Sequence, residues 1–185
     1  MADAIAQLLE IGYQARRENR PADAVSAFWA AAAQARSAAN PEGTRMLARA
    51  LTGLGQMARD EGQLSGALGH YQEAAALFRS LDDPARLAHT VRHVGDIHIE
   101  LAQPGLAGHC YGEALTLYRG LPQTSPGELA NALRSWALFQ EARGAREEAS
   151  GIWREVQALY QAAGIAAGVT ESTRRLTALA NETTT

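Results

Sequence analysis

An all-α array of stacked helix pairs is the fold class this sequence predicts, on three observations. Hydrophobic residues make up 46% of the 185-residue chain. Alanine alone is about a fifth of it, and no stretch alternates apolar and polar as a half-buried strand would. Next, Asn40-Pro41, Asp83-Pro84 and Ser125-Pro126 recur about 42 residues apart, within the range that marks stacked repeats. Each is a capping residue followed by proline at the first helical position, where a missing N–H does no harm. Lastly, one pattern of small and apolar residues returns in the same register in every interval.

The first unit, over about 3–40, carries Leu8, Ile11 and Gly12 on its first helix. After a turn at Arg20-Pro21 it carries Ala24, Phe28 and Ala31 on its second. In the second unit, 41–82, Leu51, Leu54 and Gly55 are followed by a Glu61-Gly62 turn and by Ala67, Tyr71 and Ala74. The third, 83–124, has Val91, Val94 and Gly95, a Gln103-Pro104-Gly105 turn, then Ala107, Tyr111 and Ala114. The fourth, 125–167, opens on a capping box, Ser125 with Glu128. It places Leu133, Trp136 and Ala137 before an Arg143-Gly144 turn and Ala149, Trp153 and Val156 after it. Leu77-Phe78, Leu117-Tyr118 and Leu159-Tyr160 close the second helices. A last helix, about 168–182, turns Leu176, Leu179 and Ala180 to one side and Arg174, Arg175, Thr177 and Asn181 away from it. That is the polar outer face a terminal helix needs.

An ordinary up-and-down bundle with coincidental spacing is the alternative, but four in-register copies speak against it. The pattern large-x-x-Leu-Gly, then Ala-x-x-x-aromatic-x-x-Ala, resembles the tetratricopeptide repeat (TPR) family over almost the whole chain. The period of about 42 is longer than the usual 34 of that family, and Trp136 and Val156 depart from its typical residues. The resemblance implies a right-handed superhelix, an α-solenoid of about four helix pairs plus a capping helix, acting as a single domain. It also implies a non-enzymatic protein–protein interaction module whose first helices line a concave groove for peptides.

Composition narrows the function independently. The net charge of −3 argues against a general nucleic-acid binder. All 17 basic residues are arginine, which excludes Schiff-base or P-loop lysine chemistry. The single cysteine, Cys110, permits no internal disulfide and is expected as a buried, inert thiol. The start of the chain lacks the layout of a signal peptide, and no segment approaches a membrane span. A soluble cytoplasmic protein is therefore expected, with no cofactor. No nucleophile elbow, phosphate loop or zinc-protease motif is present.

Residues 89–98, HTVRHVGDIH, hold three of the five histidines. At about 100° per residue, His98 falls with Leu87, Val91 and Val94 on the packed face, as a partly buried, hydrogen-bonded histidine. His89, His93 and Asp96 share the opposite stripe. Their spacing could supply three metal ligands, but no fourth is evident, and a solvated groove surface is the expectation, with both histidines exposed.

Carried over by register, the partner-binding groove comprises Tyr13, Arg16, Arg17, Arg49, Gln56, Arg59, His89, Arg92, Asp96, Asn131, Arg134 and Arg174, with Leu9, Thr52, Ile99 and Leu138 beside them. Seven arginines against four acids give this face a net +3 in a chain of −3. Arginine forks bind carboxylates bidentately, so an acidic peptide or a free C-terminal carboxylate is the implied partner, with Arg92 and Arg134 the principal contacts. The opposing reading is that these arginines pair with acids of neighbouring repeats. The family's dicarboxylate clamp of lysines and asparagines is not reproduced; only Asn131 resembles it. An effector-sensing regulator is the alternative function. The partner's identity and the oligomeric state are not written in the sequence.

Overall fold

The computed structural model describes residues 2–38 and 40–181. Residue 182, the expected end of the last helix, lies outside them. Nine α-helices and no strand occur among the described residues: α1 Ala2–Arg17, α2 Pro21–Ser37, α3 Pro41–Asp60, α4 Leu64–Ser80, α5 Pro84–Glu100, α6 Pro104–Gly120, α7 Pro126–Ala142, α8 Arg146–Ala162 and α9 Ala166–Asn181. Each packs against the next in sequence; in addition α1 touches α3, and α5 touches α7. This is a right-handed α-solenoid in which odd-numbered helices form the inner layer and even-numbered helices the outer.

Local chemistry sets the boundaries. Five helices start on proline, α2 and α6 as well as the three read from the sequence. The Asn40 side chain accepts a hydrogen bond from the Gly43 amide (2.8 Å), and Asp83 accepts from that of Arg86 (3.2 Å). Ser125 and Glu128 form a reciprocal capping box. Most helices end on the same backbone closure. The amides of Arg20, Gln63, Gln103 and Ala145 reach back to the carbonyls of Ala15, Ala58, His98 and Gln140 at 2.8–2.9 Å. That closure puts one residue per turn in the left-handed region: Asn19, Gly62, Ala102 and Gly144 have φ of 56°, 75°, 57° and 77°.

The core is built by aromatic rings threaded between inner helices. A Cβ on Gly12 or Gly53 would stand 2.6–2.7 Å from the Phe28 ring, one on Gly55 2.8 Å from Tyr71, and one on Gly95 2.7 Å from Tyr111. In the first three units the glycine of the inner helix is therefore what admits the ring of its own outer helix. Phe28, Tyr71, Tyr111 and Trp153 are all buried. Along the convex side Arg36–Glu73, Arg79–Glu113 and Arg119–Glu155 bridge successive outer helices at 2.6–3.6 Å. Each pair is exposed and contributes little alone.

The first helix differs from the reading of its sequence. Leu9, assigned to the groove, is fully buried with Ile5, whereas Ile11, assigned to the core, is 51% exposed. The equivalents of Ile11 in later units, Leu54 and Val94, pack on the preceding pair. No described helix lies on that side of α1, so its phase cannot follow the repeat.

Candidate functional site

The inner helices expose a concave face with two cavities. The first, of about 440 Å³, lies between α1, α3 and the start of α5. Tyr13, Arg16, Arg49, Gln56 and His89 line it together with Thr52, Arg86 and Glu128. The Arg49 guanidinium sits 6.0 Å above the centre of the Tyr13 ring, and the Tyr13 hydroxyl donates to the Arg49 carbonyl at 3.3 Å. Arg49 has no carboxylate partner among the described residues. Arg86 and Glu128 were missed by register, because they lie in the first turns of their helices and the pattern was read from the middle.

The second cavity, of about 360 Å³, is bounded by α3, α5 and α7 and centres on Asp96. Its carboxylate accepts from Tyr111 Oη (2.9 Å), Ser135 Oγ (3.1 Å) and Arg92 Nη1 (3.0 Å). Arg59 approaches it at 3.5 Å and bonds Glu100 through Nε at 2.8 Å. Burial alone would raise this carboxyl; His93, Arg92 and Tyr111 outweigh that and hold it at about 2. Four helices from three successive pairs thus converge on one carboxylate.

His93 is not exposed as the sequence implied; its side chain is 11% accessible. It stacks on Tyr71, centroids 5.3 Å apart and planes 19° from parallel. Arg92 Nη2 lies 2.8 Å from its Nε2. A guanidinium only donates, so Nε2 accepts and the ring proton sits on Nδ1, 3.3 Å from Asp96. Burial first, then Arg92, lowers its pKa against the pull of Asp96. His89 is exposed as expected, though the enclosing groove, then His93 and Arg92, keep it in the neutral form. Among the described residues no group of three or more His, Cys, Asp or Glu is arranged to hold a metal ion; His93 Nε2 and the Asp96 oxygens are taken up by arginine, tyrosine and serine donors. His98 is buried, its Nδ1 2.7 Å from Gln103 Oε1. Cys110 is half-buried, and burial then Glu113 raise its thiol pKa.

The remaining groove residues are mostly engaged. Arg16 pairs with Asp60 (3.4 Å), Arg17 with Glu10 (2.9 Å), and Arg134 grips Glu171 with two nitrogens at 2.6 and 2.8 Å. Gln56 donates to Asp60 (2.8 Å) and accepts from Tyr71 (3.3 Å); Asn131 accepts from Tyr160 (2.8 Å). Arg174 is exposed and lines neither cavity. Its neighbour Arg175 instead reaches Glu141 of α7 at 3.0 Å, beside the Trp153 indole that bonds the same carboxylate. The net +3 read from register already counts Asp60, Asp96, Glu100 and Glu141; Glu171 lowers it to +2, and most of the arginines on this face meet an acid.

No protein-family model matches the chain, and no curated protein matches it. Solved structures do. BtubC from P. vanneervenii superimposes with a TM-score of 0.67 at 15% identity, over 99% of this chain and 82% of that one. The apo form of RapI gives 0.78 at 12% identity over 88% of this chain and 57% of that one. The TPR-like repeats of a Podosopora anserina kinesin light chain give 0.65 at 13% identity, over 99% and 98%. The fold is thus a TPR-like repeat solenoid. No helix among the described residues is long and apolar enough to cross a membrane.

Proposed function

We propose that this protein is a non-enzymatic interaction module that holds a segment of a partner protein in its concave groove, with a carboxylate of that segment seated against Arg49. One observation carries the reading. Arg49 lines a cavity large enough for a side chain, over the ring of Tyr13, and makes no ion pair among the described residues, although Glu128 lines the same cavity. Arg92 and Arg134, the contacts favoured by register, face Asp96 and Glu171 instead, so an incoming carboxylate would have to displace a partner there. Thr52, Gln56 and His89 add polar contacts around the same space. The TPR-like neighbours are consistent with a protein partner.

Affinity capture from cells of the source organism, followed by mass spectrometry, tests this with three baits: the wild type, Arg49→Ala, and Trp29→Ala, which alters a residue exposed on the outer helix α2. Partners recovered by the wild type are expected to be retained by Trp29→Ala and lost from Arg49→Ala, more completely as salt rises. Retention on Arg49→Ala with loss on Trp29→Ala would move the binding surface to the convex side.

A second reading, an effector-sensing regulator, draws on the looser junction at α3 and α5. These helices approach each other less closely than α1 and α3 or α5 and α7 do, and Arg59 links them through Asp96 and Glu100. A ligand filling the first cavity would draw them together, which solution scattering with and without it would register as compaction.

A further inference from the structure

Outside the groove, a crevice of about 510 Å³ lies on the rim between the third and fourth helix pairs. Trp136 opens it, standing where earlier units carry Leu54 and Val94. Its ring stacks on Phe139 at 5.1 Å and 29°. The facing wall is the first turns of α6, where a Cβ on Gly108 would stand 2.9 Å from the Phe139 ring but one on Gly105 would meet nothing within 4 Å, so the open space lies at the Gly105 end. The guanidinium of Arg143 lies 5.3 Å over Phe139 and makes one hydrogen bond, 3.3 Å, to Gln140. It has no carboxylate partner among the described residues, and His109 beside it is exposed. No acid lines the crevice. Phe139 is also a wall of the groove cavity around Asp96, so the two spaces meet at one ring.

We propose that this crevice is a second anchor for the bound segment, taking an aromatic side chain with an acidic residue next to it. Trp136, partly exposed and backed by the buried ring of Phe139, offers the face for the aromatic group. Arg143, already oriented by its ring contact, supplies the cation for the carboxylate. The inference rests on the groove holding a protein segment, but it concerns different residues.

The test is amide NMR of the full chain titrated with the blocked dipeptide acetyl-Trp-Glu-amide, and with acetyl-Ala-Gln-amide as control. Saturable shifts are expected at Gly105, Gly108, His109 and the Trp136 indole with the first and not the second. Arg143→Gln should weaken the interaction roughly tenfold. Trp136→Leu, which restores the residue type of the earlier units, should abolish it. Absence of saturable rim shifts, equal shifts with the control, or unchanged affinity in Arg143→Gln would overturn the proposal. Arg49→Ala separates the two sites: rim shifts that persist while partner capture also survives would refute the Arg49 anchor alone, and lost rim binding with Arg49-dependent capture intact would refute the crevice alone.

Discussion

The two halves of the concave face use the same residue types to different ends. In the C-terminal half, Arg59 and Arg92 close on Asp96, Arg134 on Glu171 and Arg175 on Glu141. There each of these guanidinium groups meets an acid from its own or the adjoining helix pair, and the charges hold repeats in register. In the N-terminal half, Arg16 has Asp60, but Arg49 faces an open cavity with only the Tyr13 ring beneath it. Arg49, His89 and Asn131 occupy equivalent positions in three successive units, as do Thr52, Arg92 and Arg134. An arginine's role in a repeat array is thus decided by what the adjoining unit places opposite it, and repeat register alone does not carry that information.

The sharpest way to break the comparison is to remove a ring on which the paired half depends. Tyr111→Ala should cost about 3–5 kcal/mol of folding stability, read from the midpoint of chemical denaturation. The ring fills the space against Gly95, and its hydroxyl serves Asp96. Phe28→Ala, in the first pair, should cost less, since Phe28 carries no such hydrogen bond and serves a unit with one neighbour among the described residues. Equal losses would argue against an array in which stability is summed over neighbours.

Next in size is the functional half of the contrast. Arg49→Ala should weaken capture of the groove partner by about 1.5–3 kcal/mol, while its denaturation midpoint moves by no more than about 0.5 kcal/mol. Arg134→Ala should do the reverse, with a loss of about 1 kcal/mol in folding and little change in capture. Titrating the recovered partner against both variants at two salt concentrations decides it. If Arg134→Ala impairs capture and Arg49→Ala does not, the assignment of the two halves is inverted.

Asp96 gives the paired half a pH signature. Its folded pKa of about 2 lies below the ordinary value of 3.8, so the folded state favours the ionised form. The associated stability, on the order of 2 kcal/mol, is fully present above about pH 4 and is lost as pH falls through 2. Asp96→Asn should flatten stability across that window when denaturation is followed at successive pH values. An undiminished slope in the variant would assign the acid sensitivity to other carboxylates.

These expectations show which parts of the molecule could be read before the structure. Capping residues and ring-and-glycine pairs were legible, because both are fixed by contacts at constant sequence spacing: Asn40 to Gly43, Gly95 to Tyr111. His98 was legible for the same reason, since one helical phase sets its burial. His93 was not, although it shares that helix. Its environment comes from Tyr71, a residue of the preceding pair, and from the rotamer of Arg92. The partners of Arg134 and of Arg175 lie 37 and 34 residues away, and which of Arg174 and Arg175 faces the groove depends on how α9 docks. Inter-repeat geometry, absent from any single unit's pattern, decided each of these.

The smallest predicted effect concerns the turns that join the two helices of each pair. Four turns share one closure, and each needs a residue in the left-handed region: Gly62 and Gly144 in two, Asn19 in the first, Ala102 in the third. Glycine reaches that conformation without penalty and asparagine tolerates it, whereas alanine's Cβ crowds the adjacent carbonyl. Ala102→Gly should therefore raise stability. Against relief of about 1 kcal/mol stands the greater backbone freedom glycine has in the unfolded chain, so the net gain should be about 0.5 kcal/mol. The converse change, Gly62→Ala, should lower stability by about 1 kcal/mol, and the pair of variants makes the comparison internal to one protein. The turn joining α5 to α6 also starts the helix that carries Gly105, Gly108 and His109, so the same Ala102→Gly variant should leave rim binding unchanged. A loss of stability in Ala102→Gly would mean that the φ of 57° at this position is compensated by contacts of the alanine methyl, and that the third turn is not equivalent to the second and fourth.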